Sequence, residues 1–434
     1  MFGVPHTIPW LSSDCGGALS PVKFAPVTAI LVPPSLTRTG QVVAQPTSRG
    51  AVFRFIHSSD LHLGKPFGRF PEDVRVRLRQ ARAEALRTLA DLARLHNASH
   101  ILLAGDTFDQ MTPAPTVIRQ ALNAMAAADT VTWVILPGNH DHANATELWR
   151  QVARDAPENV TVASRPDPMA LNSEVMLLPA PPTERHPGRD LTDWFDTADT
   201  GDRVRIGLAH GSIRGFSTSE EGGSSILSPD RARDAGLAYL GLGDWHGQLK
   251  ITDTTWYSGA PEADGFKHDH APAALLVEIA GPTAPAIVTP LPTARLEWRT
   301  VRLEVTGDPA EGVGGAVDVA AGVDALDRVL PPVVDRENTL LSLRVTGRAH
   351  PAARIALEQG IMRTAPDFLW ADADLSGLGM VHEVSDLDEI DRQGALRAAA
   401  DALARDATDE ARTPEDRATA EAALSYLFSY AAEQ

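Results

Sequence analysis

The sequence predicts a layered α/β domain followed by a smaller α+β domain. Short apolar runs rich in β-forming residues alternate with segments of helical periodicity, and polar groups come directly after several of these runs. Strands that alternate with helices are typical of layered α/β folds. The pattern changes in a proline-containing stretch near residues 291–295, where we place the end of the first domain.

The elements are predicted in order along the chain. The first strand begins at Val52, and a helix over 73–96 brings apolar residues to one face at intervals of three or four positions. The other predicted elements of this domain are strands at 101–103, 131–136, 175–178, 204–209 and 238–242 and a helix at 115–127. The later elements are strands at 299–305 and 339–345, helices at 317–329 and 352–363, and two helices between 396 and 430.

Four regions follow from this pattern. Residues 1–50 are rich in Pro, Ser, Thr and Gly and have no sustained period, which predicts a disordered extension or a misplaced start. The layered domain takes residues 51–295, the smaller domain takes 296–395, and the C-terminal helices take 396–434. The length of 434 residues is sufficient for two or three domains with a sizeable core.

Composition and charge exclude several classes of protein. No apolar run approaches the roughly 18 residues that span a membrane, and a single cysteine, Cys15, excludes an internal disulfide framework. Both observations favour a cytoplasmic protein. The net charge of −18 argues against a surface that binds nucleic acid indiscriminately, although most of the acidic excess lies between Leu296 and Gln434.

Five polar groups follow the predicted strands of the layered domain. Because the carboxyl ends of strands in an α/β sheet meet at one rim, we expect these groups to lie together. A mixture of Asp, His and Asn suits Mn²⁺, Fe or Zn²⁺, so five such groups in order predict a metal centre. The groups are Asp60-Leu61-His62, Gly105-Asp106, Gly138-Asn139-His140-Asp141, His210-Gly211 and Gly243-Asp244-Trp245-His246.

In this order the five groups resemble the motifs of the calcineurin-like metallophosphoesterase superfamily, over roughly Val52–Ile279. The stretches Phe55–Gly64 and Tyr257–Glu262 are similar to its DNA-repair exonuclease branch, the SbcD-like nuclease subunits. The resemblance implies an αββα sandwich, in which two β-sheets lie between helical layers and two metals lie at the sheet edge. It also implies that the smaller C-terminal α+β domain caps the DNA cleft.

The resemblance further implies a ligand set for two divalent metals. The implied ligands are Asp60, His62 and His246 for one metal, Asn139, His210 and Asp244 for the other, and Asp106 bridging both. Two positions depart from the family pattern, since Asp244 and Asp109 both stand where histidine is usual. A carboxylate at position 244 makes the second metal a weaker Lewis acid and favours Mn²⁺, with Fe and Zn²⁺ as alternatives.

Two catalytic roles are implied as well. Asn139 would stabilise the charge that grows on the phosphoryl oxygens. His140 would protonate the leaving oxygen as general acid. The alternative role for His140 is to orient Asp60.

Substrate contacts are predicted at basic residues behind the first motif. Lys65 and Arg69 are candidates for substrate binding. Arg75, Arg79 and Arg82 share one face of the first helix, which is either a contact for a DNA backbone or an ordinary solvated surface.

Three functions compete on this basis. The leading one is a DNA-repair exonuclease subunit that works with an SMC-like ATPase, with a homodimer as a further possibility. The second is a phosphatase or phosphodiesterase for nucleotides or other small phosphoesters. The third is a non-catalytic interaction protein, which is disfavoured because no ligand position has become apolar.

Overall fold

The computed structural model describes residues 52–215, 226–266, 271–282, 284–306, 325–349, 351–380 and 394–432. The predicted N-terminal extension, residues 1–50, lies outside the described residues. So does most of the helix predicted at 317–329, of which residues 325–329 are described and helical.

The first sheet has six strands, numbered here along the chain. They are β1 (Phe53–Ser58), β2 (His100–Ala104), β3 (Thr132–Leu136), β4 (Val160–Val162), β13 (Ala273–Ile279) and β14 (Ile287–Pro292). Their order across the sheet is β14-β13-β1-β2-β3-β4. The four strands from β1 to β4 are parallel, so their carboxyl ends share one edge. β13 runs antiparallel to both of its neighbours.

The second sheet also has six strands. They are β5 (Met169–Ala170), β6 (Val175–Ala180), β7 (Val204–His210), β10 (Tyr239–Gly243), β11 (Leu249–Lys250) and β12 (Thr255–Tyr257). Their order across the sheet is β11-β12-β10-β7-β6-β5, and the four strands β12, β10, β7 and β6 are parallel. A separate short pair is formed by β8 (Ser212–Ile213) and β9 (Ile226–Leu227).

Side-chain alternation in β1 explains how the layers pack. Ile56 points to one face of the first sheet and packs with Leu86 and Leu89 of a helix, whereas Phe55 points to the other face and packs with Ile206 and other residues of the second sheet. The helices on the outer face are α1 (Glu72–Leu95), α2 (Pro115–Ala126) and α3 (Thr146–Asp155). The parallel strands at the centre are therefore buried on both faces.

The second sheet is covered by shorter helical segments. A 3₁₀ helix (Asp193–Thr197) and α4 (Arg231–Asp234) contribute Phe195 and Ala232 to a core with Leu240. Helices therefore flank both sheets, and the predicted αββα sandwich is confirmed.

A third sheet follows, with three parallel strands. They are β15 (Glu297–Thr306), β16 (Thr339–Ala349) and β17 (Trp370–Met380), with α5 (Val333–Arg336), α6 (Pro351–Thr364) and a 3₁₀ turn (Ala365–Asp367) between them, and β16 lies in the middle. This extra C-terminal sheet with its helices agrees with the predicted α+β region. The sequence did not predict β17, because its Ala, Asp and Gly residues have low β-propensity and its pairing with β16 supplies the stability.

The described chain ends in two helices, α7 (Ala395–Thr408) and α8 (Pro414–Ala432), as predicted. They pack on each other through Ala400 and Leu424, both fully buried. Tyr426 is 80% exposed, so the apolar residues of α8 lie partly in this core and partly at the surface. Among the described helices, none is both long and apolar enough to cross a bilayer.

Candidate metal centre

The residues predicted to bind metal lie at the carboxyl ends of five parallel strands. β1, β2 and β3 of the first sheet lead into the loops that carry Asp60, Asp106 and Asn139. His210 is the last residue of β7, and Asp244 follows the last residue of β10 in the second sheet. Both sheets therefore deliver ligand-type side chains to one cleft at their common edge.

One half of the cleft brings together Asp60, His62 and His246. The Nε2 atoms of the two histidines lie 3.2 Å apart. Nε2 of His246 lies 3.9 Å from Oδ1 of Asp60, and Nε2 of His62 lies 3.5 Å from Oδ2 of Asp106. These three side chains can surround a single cation.

The other half contains Asn139, His210 and Asp244. Nε2 of His210 lies 3.8 Å from Oδ1 of Asp244 and 3.6 Å from Oδ2 of Asp106. The Asn139 amide donates to the same Asp244 oxygen over 3.1 Å. The same oxygen of Asp106 therefore approaches histidines of both halves, which is the geometry that a bridging carboxylate requires.

The backbone at this cleft is unusual. Asp60, His62, Asp106 and Asp244 have positive φ angles of 55°, 43°, 51° and 99°. Non-glycine residues rarely adopt this left-handed region, and such strain is concentrated at functional sites. Phe67 and Asn97 are the other described non-glycine residues in this region, so most of the strained positions carry predicted ligands.

Two glycines of the motifs are required by close approach. A Cβ atom at Gly138 would overlap the Asp106 carboxylate, and one at Gly243 would overlap the Ala104 carbonyl oxygen and the His210 ring. Glycine lets the backbone lie directly against these groups. This is why the Asn139 and Asp244 motifs each begin with glycine.

Each histidine of the cleft presents Nε2 to the interior because an acceptor lies at its Nδ1. The acceptors are the Ala104 carbonyl oxygen for His210 at 2.8 Å, Asp109 Oδ1 for His62 at 3.2 Å and Asp264 Oδ2 for His246 at 3.2 Å. At His210 and His246 the contact at Nδ1 sets the tautomer and leaves Nε2 as a metal ligand, whereas Nδ1 of His62 lies near Asp109 without hydrogen-bond geometry.

The donor atoms fit divalent metals. Nε2 of His210 and Oδ1 of Asn139 are two of the buried side-chain atoms in the described residues that lack a hydrogen-bond partner. An unpartnered buried polar atom is costly, and cation coordination would remove that cost. Carboxylate, imidazole and amide oxygen donors are the mixture that suits Mn²⁺, Fe or Zn²⁺.

The acidic and histidine side chains of the cleft shift each other's pKa values toward their charged forms. Burial would raise the pKa of Asp106, but the charges of His210, His62 and His140 lower it below its ordinary value. Burial would lower the pKa of His210, but the carboxylates of Asp106, Asp60 and Asp244 raise it to about 9. A metal that binds here has to displace the His210 proton, so metal affinity is expected to rise with pH up to about pH 9.

His140 lies at the mouth of the cleft, and its ring centroid is 4.8 Å from that of His62. Its backbone N–H donates to Asp106 Oδ1 over 2.9 Å, and its Nδ1 lies 2.9 Å from the Asp109 carbonyl oxygen. The carbonyl holds Nδ1 and leaves Nε2 available for proton transfer. No hydrogen bond links His140 to Asp60 among the described contacts, so the alternative role of orienting Asp60 gains no support.

The predicted basic face of α1 needs correction. Arg82 is only 2% exposed, and its guanidinium donates to the carbonyl oxygens of Asp60, Leu61 and Glu262. It is an internal support of the first motif, because helix packing turns that position inward. Arg79 is ion-paired with Glu72 over 2.9 Å, and Arg75 is paired with the same residue.

The two residues predicted to bind substrate have other contacts. Nζ of Lys65 lies 2.5 Å from Oδ2 of Asp264. Arg69 is exposed and stacks on Phe70, with its guanidinium carbon 4.6 Å from the ring centroid. Arg69 therefore remains accessible at the surface, whereas Lys65 is engaged by a carboxylate.

Two acidic residues of the site were not predicted to act there. Asp264 follows the Tyr257–Glu262 stretch but belongs to none of the recognised motifs, so the sequence held no signal for its contact with His246. Asp141 was noted only as a member of its motif. It is fully buried and accepts N–H groups of Phe108 and Gly138 over 2.9 and 2.6 Å, and burial with the nearby Asp106 charge raises its pKa to about 7.

Comparison with known proteins agrees with the motif pattern. A profile of the calcineurin-like phosphoesterase family matches residues 53–238. A protein of Bacillus subtilis (strain 168), described as the uncharacterized metallophosphoesterase YhaO, is 32% identical over 116 residues. That match covers 25% of this chain and 27% of the relative, so the chain spans about a quarter of that relative's length. These matches support the predicted superfamily over residues 53–238, and the exonuclease branch stays a prediction.

Solved structures align with about half of the chain. The protein TT1561 of Thermus thermophilus aligns with 55% of this chain and 99% of its own, at 14% identity and a TM-score of 0.35. The purple acid phosphatase PPD1 of yellow lupin (Lupinus luteus) seeds aligns with 56% of this chain and 52% of its own, at 11% identity and a TM-score of 0.36.

Proposed function

We propose that this protein is a two-metal phosphodiester hydrolase. Asp60, His62 and His246 would hold one metal, Asn139, His210 and Asp244 the other, and Asp106 both. The observation that carries the proposal is the convergence of these seven side chains from two sheets, with the buried Nε2 of His210 and Oδ1 of Asn139 left without partners. Coordination of a cation would give these two atoms the partners that they lack.

The residues around the cleft can perform the remaining chemistry. Two divalent metals would supply Lewis acidity and an activated nucleophile at neutral pH. Asn139, whose amide lies in the cleft beside Asp244, would stabilise charge on the phosphoryl oxygens. His140, whose Nδ1 lies against the Asp109 carbonyl oxygen, would give a proton to the leaving oxygen from Nε2.

The finer proposal is a DNA-repair exonuclease subunit that uses Mn²⁺, with Fe or Zn²⁺ as alternatives, in the cytoplasm. It would work with an SMC-like ATPase and use the C-terminal region as a cap. Its support is the resemblance of Phe55–Gly64 and Tyr257–Glu262 to that branch and the exposed Arg69 near the first motif.

A second candidate is a phosphatase or phosphodiesterase for nucleotides or other small phosphoesters. One observation favours it specifically. Of the cations predicted to face DNA, Arg82 is internal and Lys65 is bound by Asp264, and the net charge is −18. The broad cationic surface that duplex DNA prefers is therefore reduced.

One substrate panel separates the candidates. The full chain is incubated with Mn²⁺ and linear duplex DNA, single-stranded DNA, bis-p-nitrophenyl phosphate, p-nitrophenyl phosphate or nucleotides. Release of nucleotides from DNA ends supports the exonuclease, whereas turnover of small esters alone supports the second candidate. If Mn²⁺ binds to none of the cleft residues and no ester is cut, the protein is a non-catalytic interaction protein.

A further inference from the structure

Asp264 lies behind the metal cleft and contacts three charged or ionisable side chains. Its Oδ2 is 3.2 Å from Nδ1 of His246, 2.5 Å from Nζ of Lys65 and 3.7 Å from a terminal guanidinium nitrogen of Arg82. The side chain is 14% exposed. The segment that carries it follows β12, so only the folded chain brings it to the first motif.

The Asp264 carboxylate lies at one nitrogen of the His246 ring, and the other ring nitrogen faces the metal cleft. Nε2 of His246 faces Nε2 of His62 at 3.2 Å and Asp60 Oδ1 at 3.9 Å. His246 lies in the loop after β10, and its side chain is 25% exposed. The ring therefore lies at the edge of the core rather than within it, so its orientation depends on the bond at Nδ1.

Two cations, Lys65 and Arg82, lie beside the same carboxylate oxygen of Asp264 that approaches His246. A carboxylate beside cations accepts hydrogen bonds, so the hydrogen at Nδ1 of His246 points toward it. Nε2 of His246 then faces His62 and Asp60.

We propose that Asp264 is a positioning residue that holds His246 with Nε2 toward one metal, and that Lys65 and Arg82 hold Asp264 in turn. The proposal rests on the proposed metal centre. Carboxylates behind metal-binding histidines fix the ring and make its donor nitrogen more basic, and their loss weakens metal affinity about 10–100-fold. Lys65 serves this support rather than the substrate.

The test is a calorimetric Mn²⁺ titration of metal-free wild type, Asp264→Ala and Asp264→Glu. We expect Asp264→Ala to lose about 10–100-fold in affinity for one of the two ions and to keep the other. Asp264→Glu should recover part of the loss, because it retains a carboxylate. The matched control is Asp253→Ala, which removes an exposed carboxylate paired with Lys250 and should leave both affinities unchanged.

Each outcome decides the proposal. Wild-type affinities at both sites in Asp264→Ala, or an equal loss at both sites, would overturn the positioning role but leave the metal centre standing. A wild-type chain that binds no Mn²⁺ would overturn both the proposed function and this inference. If Asp264→Ala fails to fold, the isosteric Asp264→Asn is titrated instead, with a selective loss at one ion again expected.

Discussion

The two halves of the metal cleft are supported in different ways. In the half with His62 and His246, the Nδ1 atoms face the carboxylates of Asp109 and Asp264. In the other half, Nδ1 of His210 faces the backbone carbonyl of Ala104. In the first half the orientation of the histidine rings therefore depends on side-chain charges, which a substitution can change. In the second half the orientation of His210 depends on a backbone carbonyl at the end of β2, which a substitution does not remove.

Asp106 is the point where the halves meet, so its loss should have the largest effect. Asp106→Asn keeps the shape of the side chain but removes the charge that both metal positions share. We expect hydrolysis to fall to background and two-ion Mn²⁺ binding to be lost, as measured by bis-p-nitrophenyl phosphate turnover and elemental analysis. Full occupancy by two ions in the variant would exclude Asp106 as the bridge.

His140 lies beside His62 but is not one of the proposed metal ligands. A substitution of His140 therefore tests the catalytic step separately from metal binding. His140→Ala should retain both ions and lose about 10²–10⁴-fold in kcat, the usual contribution of a general acid. The check is kcat with elemental analysis on one sample. A p-nitrophenyl ester, whose leaving group needs little protonation, should be less affected than DNA, and equal losses on both would contradict the assignment.

Arg82 supports only the first half, beneath Asp60 and Leu61. Arg82→Leu leaves buried carbonyl oxygens without their donor and removes one of the two cations at Asp264, and we expect the free energy of unfolding to fall by about 3 kcal/mol or more. Urea denaturation measures it. Arg79→Leu on the same helix is the control, since its partner Glu72 is exposed and such pairs contribute under about 1 kcal/mol. Equal effects of the two variants would show that Arg82 has no special role.

His57 links β1 and β10, two of the strands that lead into the cleft. It is fully buried on β1, and its Nδ1 lies 2.9 Å from the hydroxyl oxygen of Tyr239 on β10. Burial lowers its pKa from 6.5 to about 3. Between these two pH values the His57 ring stays neutral in the folded chain but gains a proton in the unfolded chain. The contribution of His57 to the free energy of unfolding is therefore present above pH 6.5 and is lost as pH falls toward 3.

We expect His57 to account for about 2 kcal/mol of the loss in unfolding free energy between pH 7 and pH 5. His57→Gln should remove that part of the slope, whatever its effect at pH 7. Urea denaturation at the two pH values, on wild type and variant, measures it. Identical slopes would mean that His57 does not stay neutral in the fold.

A substitution of Asp244 has the smallest expected effect, and this effect is confined to the half of the cleft that contains His210. Asp244→His restores the residue usual in the family and removes a negative charge, so the metal there becomes a stronger Lewis acid. The alkaline-rising limb of the pH–rate profile should move to lower pH by about one unit or less, with both ions retained. Because Asp244 also accepts from Asn139 and Ser212, a drop in metal occupancy would show that this orienting role dominates.

Several helix and strand positions in the layered domain were predicted because they depend on local periodicity, but α3, β4, β13 and β14 were not predicted. The apolar face of α1 and the polar residues at the ends of β1, β2, β3, β7 and β10 are visible in the chain itself, since a strand end and the few residues that follow it are neighbours in sequence. β17 was missed because its Ala, Asp and Gly content gives no such signal, and only pairing with β16 stabilises it.

What the sequence by itself determined was the kind of residue at each strand end and hence the composition of the cleft. Only the tertiary structure decided which charged side chains lie next to each other. Lys65 and Asp264 are 199 positions apart, and Arg82 is one of three arginines that helical spacing made equivalent. Periodicity shows that three side chains share a face, but the packing of loops against that face decides which one is buried, because burial depends on contacts between segments distant in the chain.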